Sequence, residues 1–357
     1  MSKILINLLL LVTATAIAIL LGLYAYSIYV LINQPAPQVT VIGDKLVQYD
    51  PHIGFRPPPN SRTIITRALG SSNLTYELIT DSRGARISSE DERGLADFSI
   101  AFIGCSFTWG HGISNEETYA RKISHKLGTN IQNLAMASYG SVQSLQMLQK
   151  LEGNNELIIY GFINDHVRRN VRPCAPSYSP LCLYVPTVSK NDKEAFYIKD
   201  EIPADNVSAS LDYFEWARQK RMLDADNIRF GYRFMNDRIN RLRGLQNVTL
   251  QKEDELLATE FVINEMRKSA KEKGSKLLIV NVGIGQPTDN FDHLSKKQWG
   301  EDVMFLDASK FDGIKDEALL IKEDGHPNGY GNSLIADKVF AFIKKNNLVG
   351  DKFFSRD

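Results

Sequence analysis

Three short apolar runs, each closed by a turn, constrain this chain most: residues 99–104 (SIAFIG), 131–136 (IQNLAM) and 156–163 (ELIIYGFI). Apolar runs of this length read as strands buried in a parallel sheet. Between them lie stretches with helical spacing. One opens at Asn115-Glu116-Glu117 and runs to Lys126 before Gly128, and the other covers 141–151. Strands alternating with such helices make right-handed βαβ units. The pattern stops after 163 and resumes with a helix over 253–273, closed by Gly274. Strands are expected at 277–282 and 303–306, and a last helix from Tyr330 to Lys345. The chain is therefore expected to be an α/β protein, with ligands at the carboxyl edge of its sheet.

The N-terminus sets the compartment. No charged residue occurs from Ile4 to Ile32. A helix of that length is about 43 Å long, more than the ~30 Å hydrocarbon core. Tyr24, Tyr26 and Tyr29 gather near its far end, as interfacial aromatics do, and Lys3 favours a cytoplasmic N-terminus. The competing reading is a cleavable signal peptide with small residues at Ala14, Ala16 and Ala18. Its apolar core would end sooner than this run does. Residues 1–33 are expected to form a single-pass membrane anchor, with the rest of the chain outside the cytoplasm. The 42 basic and 42 acidic residues cancel, so bulk charge selects no nucleic-acid partner.

Residues 34–98 read as a proline-bearing linker and a wrapping segment, irregular over 39–62. An extended stretch at 76–87 is broken by the turn Asp81-Ser82-Arg83-Gly84. Residues 166–250 read as an insertion with a long helical region over 211–245. Arg229, Arg233, Arg238, Arg241 and Arg243 fall there, on a solvated face or against anionic headgroups or polymer. Cys174 and Cys182 bracket a proline-rich loop. A disulfide between them would stabilise it by roughly 2.5 kcal/mol, and an oxidising compartment permits one. Two unrelated buried thiols are the alternative. Cys105 has no evident partner.

One chemistry-bearing residue follows each strand. Ser106 comes after the first, Gly140 after the second, Asn164 after the third, and His326 after the last, with Asp324 two residues before it. Acyl transfer through serine needs a nucleophile, a base, an orienting carboxylate and donors for the oxyanion. A glycine after a strand is by itself a turn, and an Asn-Asp pair is by itself a helix cap. Together they supply each of the four parts. His52, His111, His125, His166, His293 and His326 show no metal-ligand spacing. No metal site and no cofactor is expected. His111 either lines the site or sits on the loop surface, and His166 caps the Asn164 turn.

Four segments resemble the blocks of the SGNH hydrolase superfamily, which includes GDSL-type esterases and lipases. They are Gly104-Cys105-Ser106-Phe107-Thr108, residues 133–140, Gly161-Phe162-Ile163-Asn164-Asp165, and Asp324-Gly325-His326-Pro327-Asn328. The resemblance covers roughly residues 76–346. It implies a three-layer α/β/α sandwich with a central parallel, flavodoxin-like sheet, over 99–350. It also implies Ser106 as nucleophile, His326 as base, Asp324 as carboxylate, and Ser106, Gly140 and Asn164 as oxyanion donors. The segment Thr80-Asp81-Ser82-Arg83-Gly84-Ala85-Arg86 resembles membrane-anchored bacterial members, often found in pathways that build surface glycans.

The chain departs from the pattern twice. Cys105 stands where Asp or Asn usually precedes the serine, which admits a thiol nucleophile as a minor alternative. The commonest carboxylate position, three before the histidine, holds Glu323, so Glu323 is the alternative to Asp324. The expected activity is hydrolysis or transfer of an acyl group, acetyl above all, on an extracytoplasmic glycan or lipid in the bacterial periplasm. The alternative of another class is an inactive binding or assembly protein among the partners of a surface-polysaccharide pathway. A redox role for Cys174 and Cys182 lacks the Cys-x-x-Cys spacing.

Overall fold

The computed structural model describes residues 3–32, 39–69, 72–153, 155–175, 183–191, 193–200, 202, 252–350 and 353. The helical region expected at 211–245, with its arginines, lies outside the described residues. So does Cys182, and with it the bridge expected to Cys174.

The chain divides into two units. One contains α1 (Lys3–Ile32). Its 24 residues Lys3–Tyr26 are long and apolar enough to cross a membrane. A signal sequence meets the same requirement.

Among the described residues, the second unit is built on a nine-stranded sheet. Its strands are β1 (Val39–Gly43), β2 (Arg62–Leu69), β3 (Ser72–Thr80), β4 (Arg86–Ile87), β5 (Ile100–Gly104), β6 (Ile131–Asn133), β7 (Leu157–Phe162), β8 (Lys276–Asn281) and β9 (Val303–Asp307). The spatial order is β1-β2-β3-β4-β6-β5-β7-β8-β9. From β6 to β9 every pairing is parallel, with Phe102 opposite Asn133, Gly104 opposite Gly161, and Val280 opposite both Gly161 and Leu306. The five strands lie where the apolar runs place them. β5 and β7 are buried at every position, as strands covered on both faces must be.

The helices of this unit are α2 (Ser106–Trp109), α3 (Tyr119–Leu127), α4 (Ser141–Gln149), α5 (His166–Arg169), α6 (Lys252–Glu272), α7 (Asp289–Ser295) and α8 (Gly329–Lys345). Helices α3 and α8 pack on each other and share a core with Ile100, Phe102, Leu278 and Val280. Ala101 and Ile103 point the other way and are equally buried. Helix α4 packs on β5 and on α6.

Three expectations change. The segment read as a linker and wrap supplies four strands to the same sheet, β1 to β4, all paired antiparallel. In β2 the buried positions Thr63 and Ile65 alternate with exposed Arg62 and Ile64. That is a strand pattern, but Thr and Arg hide it from an apolar count. The second strand stops at Asn133 rather than 136. The Asn133 amide donates to the Thr108 carbonyl (3.1 Å) and accepts from the Ala135 N–H (3.3 Å), which ends the regular ladder, though the Leu134 and Met136 N–H groups still donate to the Phe102 and Gly104 carbonyls (2.8 and 3.2 Å). The helix expected from Asn115 is split by extended Thr118 (ψ 142°), which caps α3 by accepting from the Arg121 N–H.

Candidate active site

Strand β5 ends at Gly104, whose φ of +148° disfavours any side chain. A Cβ there would lie 2.5 Å from Thr108 Oγ1 and 2.8 Å from the Gly161 carbonyl oxygen. The chain passes through Cys105 and opens α2 with Ser106, and left-handed Gly110 ends that single turn. Ser106 is thereby held at the carboxyl edge of the sheet.

His326 arrives from the other end of the chain on a tight loop before α8. Its Nε2 lies 2.8 Å from Ser106 Oγ, and its Nδ1 lies 2.5 Å from Asp324 Oδ1. An ionised carboxylate only accepts, so Nδ1 donates to Asp324 and Nε2 accepts from the serine hydroxyl. The His326 N–H also donates to Asp324 Oδ1, at 3.3 Å. A carboxylate two residues before the histidine thus reaches both its backbone and its ring. Glu323, the alternative, is exposed with φ of +64°, and the two ring nitrogens of His326 are bonded to Asp324 and Ser106 instead.

The Asp324 side chain is fully buried. Burial alone would raise its carboxyl; the hydrogen bond and charge of His326, with His111 and Arg67, outweigh that and hold it at about 2. Its second oxygen, Oδ2, accepts from Arg67 Nη1 on β2. His111 Nε2 lies 3.7 Å from the same oxygen, and His111 Nδ1 is hydrogen bonded to the Tyr76 hydroxyl of β3 (3.1 Å). Burial, and then the charge of His326, pushes His111 down to about 3. The His111 and Phe107 rings flank His326 at 4.6 and 4.9 Å between centroids. His111 therefore lines the site.

Sequence reasoning missed Arg67 and Tyr76, which belong to the segment read as a wrap. It also missed the role of Arg86. This buried guanidinium donates to the carbonyls of Trp109 (2.6 Å), Gly110 (2.6 Å) and Ile113 (2.7 Å) and to Asn115 Oδ1 (2.6 Å). It fixes the loop that carries His111. Asp81 closes the turn before it by accepting from the Arg83 and Ala85 N–H groups at 2.8 and 2.9 Å.

Gly140 caps α4, and Asn164 follows β7. The Gly140 N–H donates to Gln143 Oε1 at 3.0 Å, so this expected oxyanion donor is already engaged. The Arg169 side chain holds the same turn through the Tyr139 carbonyl (2.8 Å). Asn164 Oδ1 is buried without a hydrogen-bond partner among the described residues. His166 is fully buried; its Nδ1 is bonded to the Tyr160 hydroxyl at 2.7 Å and also accepts, at 3.5 Å, from the Ile163 N–H that precedes the Asn164 turn. Cys105 is a free, fully buried thiol that packs in the core. Burial pushes that thiol up, which disfavours the reactive thiolate.

His111, Asp324 and His326 bring their ligand atoms within 4.8 Å of one another, the spacing of a metal site. Arg67 occupies one Asp324 oxygen, and both His326 nitrogens have protein partners. The donor set therefore fits proton transfer better than cation binding.

No family model matches the sequence, and no curated protein matches it. Solved structures similar to this chain include a G-D-S-L family protein from Desulfitobacterium hafniense DCB-2, 12% identical, with a TM-score of 0.40 over 69% of this chain and 99% of that one. The esterase EstA from Pseudoalteromonas sp. is 13% identical, with a TM-score of 0.36 over 70% of this chain and 99% of that one. A family two carbohydrate esterase from Clostridium thermocellum is 10% identical, with a TM-score of 0.38 over 87% of this chain and 100% of that one.

Proposed function

We propose that the chain is a serine ester hydrolase or acyltransferase of the SGNH type. The observation that carries this reading is the continuous line from Ser106 Oγ through the His326 ring to buried Asp324. Ser106 Oγ attacks the ester carbonyl carbon while His326 Nε2 takes its proton. The oxyanion is met by the Ser106 N–H, the Asn164 side-chain amide and the Gly140 N–H, the last shared with Gln143. As the carbon–oxygen bond to the leaving alcohol breaks, His326 returns the proton to that oxygen. Water, or an acceptor hydroxyl, then attacks the acyl-serine with His326 again as base, and the proton goes back to Ser106. One oxyanion donor contributes roughly 3 kcal/mol to such a barrier.

The substrate is proposed to be an O-acylated, chiefly O-acetylated, glycan or lipid on the far side of a membrane. The apolar α1 and the resemblance to membrane-anchored members support this. Partners in a surface-polysaccharide pathway, and a bridge from Cys174 to Cys182, belong to the same proposal. Two observations count against an inactive binding protein. Asp324 reaches His326 from the minus-two position, and Cys105 is absorbed into the core.

The test is hydrolysis of p-nitrophenyl acetate by the full-length protein in detergent. Ser106→Ala is expected to lose at least ~10³-fold in kcat/KM with an unchanged melting temperature. Full activity in that variant would overturn the assignment.

A further inference from the structure

We infer that Arg67 is a positioning residue for this site, holding Asp324 ionised and aimed so that the pair with His326 stays ready to accept a proton. The inference rests on the reading of Ser106, His326 and Asp324 given above. Asp324 closes a small ring on His326 through one oxygen, Oδ1, which serves both the ring nitrogen and the backbone N–H. That ring leaves Oδ2 turned away from the histidine in a side chain with no solvent exposure. A buried carboxylate oxygen without a donor is costly and favours protonation. Arg67 is the donor at that oxygen, through a charge-assisted bond from a strand 257 residues earlier in the chain.

The ionisable groups about this carboxylate come from several elements. Arg67 stands on β2, Tyr76 on β3 and Arg86 on β4; His111 stands on the loop after α2 and His326 on the loop before α8. Arg86 acts on His111 rather than on the carboxylate. His111 is neutral above about 3, so it brings no charge at working pH. Arg67 adds a permanent charge to the hydrogen bond and charge that His326 supplies to Asp324. That charge favours the ionised carboxylate that orients His326, and so extends activity toward acid.

The experiment measures the rate at which full-length protein in detergent is labelled by a fluorophosphonate, from pH 5 to 9. In that reaction Ser106 Oγ bonds to phosphorus, fluoride leaves, and His326 takes the serine proton. Arg67→Gln is expected to move the acidic limb upward by about one pH unit and to slow labelling at pH 6 by about tenfold. Arg67→Lys, which keeps the charge, is expected to keep the wild-type limb and to label more slowly, because it lacks the planar fork. In an Asp324→Asn background the Gln change should have no further effect, since Arg67 acts through that carboxylate.

Wild-type labelling with superimposable profiles for wild type and Arg67→Gln would overturn the role of Arg67 alone. A limb displaced in Arg67→Lys would do the same, including in the case where the Gln variant does not fold. Wild-type protein that takes no label at any pH would instead overturn the reading of Ser106 itself.

Discussion

At neutral pH the imidazole of His111 sits uncharged between the Tyr76 hydroxyl and the Asp324 carboxylate. Unfolded, it takes up a proton below about 6.5, but folded only near 3. Over that interval the unfolded chain binds more protons. The stability contributed by neutral His111 is therefore complete above 6.5 and lost as the pH falls toward 3. Asp324 acts in a lower window, with a contribution lost as pH falls from 3.8 to about 2. His111→Gln, which keeps a partner for Tyr76, is expected to flatten the fall in melting temperature on acidification below pH 6.5. A wild-type slope in that variant would assign the acid sensitivity elsewhere. At this scale the juxtaposition of Ser106, His326 and Asp324 was expected from their places after strands and from the resemblance, and the hydrogen bonds bring the three together. Arg67 was not, since one arginine on an alternating strand carries no signal that it meets a carboxylate 257 residues away.

The loop from Trp109 to Asn115 has no regular structure of its own over most of its length, yet it must hold His111 against His326. Arg86 does so through three backbone carbonyls and one side-chain oxygen. Arg86→Ala would strand those acceptors in a buried site and is expected to cost more than about 3 kcal/mol, read as a lower urea midpoint at unchanged m. A wild-type midpoint would mean that the loop is held by its own packing. The resemblance of residues 80–86 marked this segment but gave it no physical task. Its task follows from the register, which sets Arg86 opposite Asn133 beside the nucleophile turn. The parallel strands were legible because burial on both faces leaves continuous apolar runs. The second strand was overextended because Leu134, Ala135 and Met136 are buried and still bond to β5 through the Leu134 and Met136 N–H groups, while periodicity says nothing of the Asn133 side chain that breaks the regular ladder.

Across the second unit, residues before Ser99 help to build the candidate site. Strands β1 to β4 extend the sheet, and two of them deliver Arg67 and Tyr76 to the site. Antiparallel strands with one exposed face carry polar residues in alternation, so they lack the apolar density that announced β5, β7 and β8. The apolar α1 was legible from length and composition alone, and the structure adds its continuous helicity from Lys3 to Ile32. The central claim is that Ser106 is the nucleophile. Its most direct test is peptide mass spectrometry of the full-length protein after fluorophosphonate treatment, with Cys105 as an internal control one residue away. One phosphonyl group on Ser106, absent after Ser106→Ala, is the expected result. Modification of Cys105, or an unmodified protein that still hydrolyses p-nitrophenyl acetate, would contradict it.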